Sequence, residues 1–350
     1  MQRVDNSSAS TTLPPPKAPG TAGYFTEGDT LVGTEPTIVD QDWMNSVQEE
    51  LCNVISAAAI TLDKTNRAQL LAALNRLFLP KILVTSALTL YVSTTGNDAN
   101  NGLSAGSAFL TLQAAVNAVY GKYNFNGFGC TIQVGDGTYT TSVAGGSNCQ
   151  IVGRPTGMPE GGLTILGNPG NPDAVQVTAT NGTGFTVIAM TCTINGVSFT
   201  GTGTSWTVIS TSGVGLAVAR AGWVTLANWR AKNCGMFPIR ADTGSTVIIQ
   251  GTNNKLVGSG GQYGMFAGEG AMIWSPGATL DVTGFGSVQA NFMCDQGRFE
   301  LAAMSFIGAG SCTGPRYASY NCGVIITGGG GANYLPGNAA GGVLNGGIYT

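Results

Sequence analysis

The chain has 350 residues, room for two or three domains. Charged residues are only 9%, against about 25% in an ordinary soluble domain, while hydrophobic residues reach 43%, so disorder is excluded and much of the surface is expected to face other chains. The net charge of −3 leaves no basic track for nucleic acid, no run of about 20 apolar residues predicts membrane insertion, and Met1-Gln2-Arg3-Val4-Asp5 lacks the apolar core of a signal peptide, so folding is expected in a cytoplasm.

Residues 1–39 read as an extended arm. Its first half is rich in Ser, Thr and Pro, with Pro14-Pro15-Pro16 and Pro19-Gly20. Such a segment orders when something holds it, here a partner or sister chains. Residues 40–80 read as a helical collar. Trp43, Met44, Val47, Leu51, Val54 and Ile55 recur at helical spacing behind Asp40, a good N-cap. Leu70, Leu71, Leu74, Leu77 and Phe78 mark a second helix, stopped by Pro80. Two such helices have too little surface to bury both apolar faces, which predicts packing against each other or against copies, with a three-fold collar as the expected form.

Gly23-Tyr24-Phe25, Gly33-Thr34-Glu35-Pro36-Thr37 and Asp42-Trp43-Met44-Asn45-Ser46-Val47-Gln48-Glu49-Glu50 resemble the N-terminal module of tail fibres and tailspikes of tailed bacteriophages. The resemblance covers about residues 19–79, and Trp-x-Asn-x-Val-Gln-Glu-Glu is its most specific part. It implies a virion-attachment role for Tyr24, Phe25, Trp43, Val47 and Leu51, a homotrimer, and tail or adaptor proteins as partners.

The next domain, 81–327, opens on the strand Leu88–Val92, a polar turn and a helix from Leu112 capped by Thr111. Tyr91-Val92-Ser93, Gly96-Asn97-Asp98, Asn101-Gly102 and Thr111-Leu112-Gln113-Ala114-Ala115-Val116 are similar to the entrance of pectate-lyase-like right-handed parallel β-helices, where a helix plugs the first coil. Asp98, Asn100 and Gly102 are reminiscent of a calcium loop but lack its downstream Glu, so the segment reads as a turn and no metal is expected.

Farther on, Ala219-Arg220-Ala221-Gly222 is echoed by Ala241-Asp242-Thr243-Gly244, Ala267-Gly268-Glu269-Gly270 and Cys294-Asp295-Gln296-Gly297, with the glycines 22, 26 and 27 residues apart. A β-rich run follows each: Trp223–Leu226, Thr246–Ile249, Met272–Trp274 and Phe299–Leu301. A turn and a strand returning every two dozen residues predict a β-solenoid of about eight to ten coils, roughly 40–50 Å long. The fold class is therefore mainly β: a right-handed parallel β-helix behind a small helical module and an extended arm. The Gly-rich segment 328–350 reads as a C-terminal cap. The eight cysteines, at 52, 130, 149, 192, 234, 294, 312 and 322, include no Cys-x-x-Cys pair and read as buried core residues, with a Cys312–Cys322 disulfide as the alternative.

The absence of histidine excludes Ser-His-Asp and Cys-His catalysis, and no phosphate- or dinucleotide-binding loop is present, so no cofactor is expected. Carboxylate chemistry on sugars remains. The turn alignment puts Asp242 and Asp295 in one column, Glu269 one step aside and Arg220 at the head. Asp before Gly is also ordinary turn chemistry, and that reading is preferred. For binding, Trp206, Trp223, Trp229 and Trp274 lie in or beside predicted strands, and Tyr317, Tyr320 and Tyr334 lie near the distal end. Outward-facing rings would stack on sugars, whereas inward-facing ones would pack the core. Three readings follow: a virion fibre adhering to a host surface polysaccharide or lipopolysaccharide, a polysaccharide depolymerase of the same build, and a connector for another receptor-binding protein. The sparse acids argue against the depolymerase, and the Gly-rich C-terminus argues against the connector.

Overall fold

The computed structural model describes residues 2–78, 81–141, 146–204 and 213–350. It divides into two compact units, Met1–Lys81 and Ile82–Thr350.

In the first unit, Asp40 caps α1 (Gln41–Ala57), its carboxylate accepting from the Trp43 N–H at 3.0 Å. This satisfies one of the free donors at the helix start. α2 (Gln69–Phe78) packs on α1 through Ile55, Ala58 and Ala73. Buried Gln69 ties the connecting loop, donating to the Thr61 carbonyl and accepting from the Asp63 N–H. This core is small, and Trp43, Val47, Leu71, Leu77 and Phe78 stay exposed. Pro80 lies outside the described residues. The arm reaches the helical part of its own chain: Arg3 makes a two-pronged pair with Glu49 and the Lys17 N–H donates to Asp42, both on α1, and Asp5 pairs with Lys64 in the loop before α2. These pairs are solvent-exposed and contribute little stability.

The second unit is mainly β. One coil lays down Thr191–Asn195, Ser198–Gly201 and Val214–Ala219. The next lays down Trp223–Ala227, Arg230–Lys232 and Phe237–Ala241, each pairing in parallel with its counterpart before it. Repetition builds three parallel sheets of ten, seven and eight strands, an arrangement consistent with a parallel β-helix. The period-2 alternation of each strand sends every second side chain inward. In the ten-stranded sheet, Cys130, Leu163, Cys192, Val224, Val247, Ile273, Phe299 and Ile325 form one inward column, in register and buried throughout. Leu90, Ile132, Ile165, Ile194, Leu226 and Ile249 form a second, each with no exposed surface.

α3 (Leu112–Lys122) covers the first coil. Thr111 caps it, accepting from the Ala114 N–H, and Leu112, Ala115, Val116 and Val119 face the core. Asp98 is fully used in holding this helix: it accepts from the Leu110 and Thr111 N–H groups and from the Thr111 hydroxyl. No cluster able to hold a metal ion occurs among the described residues, and no described helix is long and apolar enough to cross a membrane.

The far end, 328–350, carries two short strands. Gly342–Val343 and Ile348–Tyr349 extend two of the sheets by another rung, so 328–350 continues the coil. Between them and the preceding rung, Leu335 is buried and the Tyr334 hydroxyl donates to the Leu301 and Met304 carbonyls.

All eight thiols are free, and seven are buried. The expectation of a buried cysteine fails at Cys322, which sits in a left-handed turn (φ 67°) outside the strands, exposed, and not bonded to Cys312. Burial pushes the Cys130, Cys192 and Cys234 thiols up to about 12 and the Cys294 and Cys312 thiols to about 11, which removes their thiolate at neutral pH. Brief alkylation of the native protein at pH 8 should therefore label Cys322 alone, and labelling in denaturant should find eight thiols. Rapid native labelling at Cys130 or Cys192 would contradict the inward column.

Candidate functional site

The lateral face is built by the turns leading from the eight-stranded sheet to the ten-stranded one. Arg220, Thr243, Glu269, Gln296 and Asn321 take equivalent places, all left-handed with φ between 49° and 57°. The turns form a ladder of their own: the Ala221 N–H donates to the Thr243 carbonyl, Gly244 to Glu269, and Gly270 to Gln296. A second left-handed residue follows in several coils. Glycine supplies it at 244 and 270 without steric cost, whereas Ala221 holds φ 57° with a side chain.

The sequence alignment holds in part. Asp295 is level with Gly268, and Asp242 follows Ala241, which is level with Ala267, so both aspartates share one column. Glu269 stands one step aside. Arg220, however, heads the Glu269 column, not the aspartates'. Trp223 pairs with Thr246, which makes Gly222 level with Ser245 rather than Gly244.

Asp242 and Asp295 stand two coils apart, about 10 Å at the ladder spacing of about 4.8 Å. Both also have local partners. Asp242 pairs with Arg240 at 2.5 Å, and the Arg240 guanidinium lies over the Phe237 and Phe266 rings at 5.8 and 6.0 Å. Asp295 accepts from the Asn321 amide at 2.9 Å. Burial pushes the Asp242 carboxyl above its ordinary range; Arg240 opposes this and the Glu269 charge adds to it. Glu269 is exposed. The arrangement is that of turn residues holding a ladder, with one buried ion pair.

The aromatic candidates separate by face. Trp223 and Trp274 lie on the outward side of the ten-stranded sheet, next to the inward residues Val224 and Ile273 of their strands. Trp223 is 40% exposed and level with Thr191 and Thr246; Trp274 is half-buried and level with Ile248. Trp229 is a correction: it is fully buried and stacked on Phe199 at 5.7 Å, so it is a core residue with no surface for a sugar. Tyr317, stacked on Tyr349 at 3.9 Å, and Tyr334, hydrogen-bonded inward, are likewise turned to the core and only half-exposed. Tyr320 packs against a smaller apolar cluster containing Phe237 and Phe266. Trp206 lies outside the described residues. In the first unit, Tyr24 is almost wholly exposed, Phe25 meets Trp43 edge-on at 5.2 Å, Val47 is exposed and Leu51 half-buried.

A cavity of about 400 Å³ escaped the sequence reading. It is lined by Arg154, Glu160, Met190, Thr191, Arg220 and Ala221, and Thr191 is the rung neighbour of Trp223. The signal for it was the Gly/Pro-rich segment 153–162, a turn much longer than those of later coils.

No protein-family model matches the chain. One curated relative, the uncharacterized protein StfP of Escherichia coli (strain K12), is 42% identical over 57 residues, 16% of this chain and 27% of that protein. The match thus spans about a quarter of the relative's length. Among solved structures, a rhamnogalacturonan lyase is similar with 12% identity and a TM-score of 0.24, covering 75% of this chain and 66% of that one.

The raised Asp242 carboxyl has a consequence for stability. The folded chain holds this proton more tightly than the unfolded chain, so the stability it contributes is full in acid and declines as pH rises from the ordinary carboxylate value through the raised one. Relative to Asp242→Asn, the wild-type melting temperature should therefore fall as pH is raised from about 4 towards neutrality. The attraction of Arg240, present only while the carboxyl is ionised, is already part of this net shift. Parallel profiles for the two proteins would contradict the assignment.

Proposed function

We propose that this chain is a virion structural protein, a tail fibre or short spike of a tailed bacteriophage that adheres to host surface polysaccharide or lipopolysaccharide. The first unit joins the phage tail or an adaptor, and the coils of the second form a right-handed β-helix that meets the glycan. The protein is assembled in the bacterial cytoplasm. A right-handed coil is the hand that parallel crossovers adopt in nearly all cases. The observation that carries the adhesive reading is Trp223, an exposed ring on the outward side of a charge-poor parallel sheet, one rung from Thr191 in the lining of an open cavity. Sugar recognition uses such a platform beside a few polar groups. The attachment reading rests on the resemblance of residues 19–79.

The apolar surface left on α1 and α2 supports association with further copies, and the resemblance of residues 19–79 supports three of them, as a collar. Native mass measurement should give three chains per particle, and a monodisperse monomer would sink the collar.

Adhesion and cleavage are separated by one assay. Purified protein is incubated with capsule and lipopolysaccharide from candidate hosts, and both binding and released reducing ends are scored. Binding without release is expected. A variant carrying Asp242→Asn, Glu269→Gln and Asp295→Asn should bind as the wild type does, because none of the three lines the cavity. Reducing ends released by the wild type and lost in this variant would establish a depolymerase instead.

A further inference from the structure

The cavity beside Trp223 has a charge pattern that points to a narrower class of ligand. Its outer wall is the segment 153–162, which joins Ser147–Val152 to Leu163–Leu166 and carries Arg154 and Glu160. Its other wall is the turn that carries Arg220. The floor between them is Ala189, Met190 and Thr191 of the intervening coil.

Two arginines and one carboxylate line this space. Glu160 is engaged at its rim, accepting from the Thr191 hydroxyl at 3.2 Å. Neither the Arg154 nor the Arg220 guanidinium makes an ion pair among the described residues, although this chain has only 15 basic side chains and several of them are paired. The lining therefore carries a net positive charge with its donors unspent. The Arg220 position also differs from its equivalents: the following coils place Thr243, Glu269, Gln296 and Asn321 there. Thr191 is level with Trp223, so the aromatic platform stands directly beside the polar floor.

We propose that this cavity binds the anionic group of an acidic sugar, with Arg154 and Arg220 clamping a carboxylate or phosphate and Trp223 stacking on an adjoining ring. Guanidinium groups suit either anion, since their paired N–H donors match its oxygens. The proposal deepens the adhesive reading above and rests on it.

The test uses the full-length protein. Binding is measured to acidic bacterial polysaccharides and to the same polymers after carboxyl reduction or after removal of phosphate, with a neutral glucan as control. The wild type should bind the acidic polymers, and whichever treatment abolishes binding identifies the anion. Arg154→Gln and Arg220→Asn should each weaken binding on the order of tenfold, in line with losing a charge-assisted hydrogen bond. Asn is among the residues that best tolerate the left-handed conformation, so Arg220→Asn should melt no lower than the wild type, and its loss of binding is then not a loss of fold. Trp223→Ala should weaken binding as well.

Undiminished binding by both arginine variants, or equal binding to the neutralised polymers, overturns this proposal while leaving adhesion standing. Binding to no polysaccharide at all overturns both.

Discussion

Each interior strand of the three long sheets finds its backbone partners in the coil before it and the coil after it. That single constraint, parallel pairing across successive coils, organises the rest. It fixes the register, so inward residues stack on inward residues for the length of the sheet, and it leaves donors, acceptors and apolar core open at each end. α3 meets this need at the start, burying Leu112, Ala115, Val116 and Val119 over the first coil. At the other end the chain extends its own ladders through Gly342–Val343 and Ile348–Tyr349, and Tyr334 spends its hydroxyl on carbonyls of an earlier coil.

The same constraint explains where chemistry can lie. Inside the coil, side chains are packed against the rungs above and below, as Trp229 is against Phe199. Cutting such a ring back to alanine typically costs about 3–5 kcal/mol. Outside, only alternate strand positions and the turns are free. Trp223 and Trp274 occupy the former, and Arg220, Glu269 and their equivalents the latter. The turn residues are themselves bound into a hydrogen-bonded ladder, and the aspartates there serve neighbouring side chains, Asp242 pairing with Arg240 and Asp295 accepting from Asn321, so column-sharing carboxylates need not be a catalytic pair.

The fold was legible where coils are regular. From Trp223 through Thr246, Met272, Arg298, Val324 and Ile348, equivalent residues are 23, 26, 26, 26 and 24 apart. Earlier coils are longer: Leu88 and Cys130 are equivalent with α3 between them, and Cys130 and Leu163 are equivalent with segment 153–162 between them. Insertions of that size break a sequence period without breaking the ladder. The Asp40 and Thr111 caps were readable because capping is local. The orientation of each aromatic was not, because a tryptophan beside a strand satisfies the same pattern facing in or out, and only register decides between Trp223 and Trp229. The cavity was the least legible feature. It joins Arg154 to Arg220 across two coils, and nothing in either local sequence announces the other.

The central claim is that the second unit meets its ligand on its flank. Hydrogen–deuterium exchange of the full-length protein, with and without a polysaccharide that it binds, tests this most directly. Protection on binding is predicted at segment 153–162 and at residues 219–223. Protection confined to residues 328–350, with the flank unchanged, would contradict the account and move recognition to the distal end.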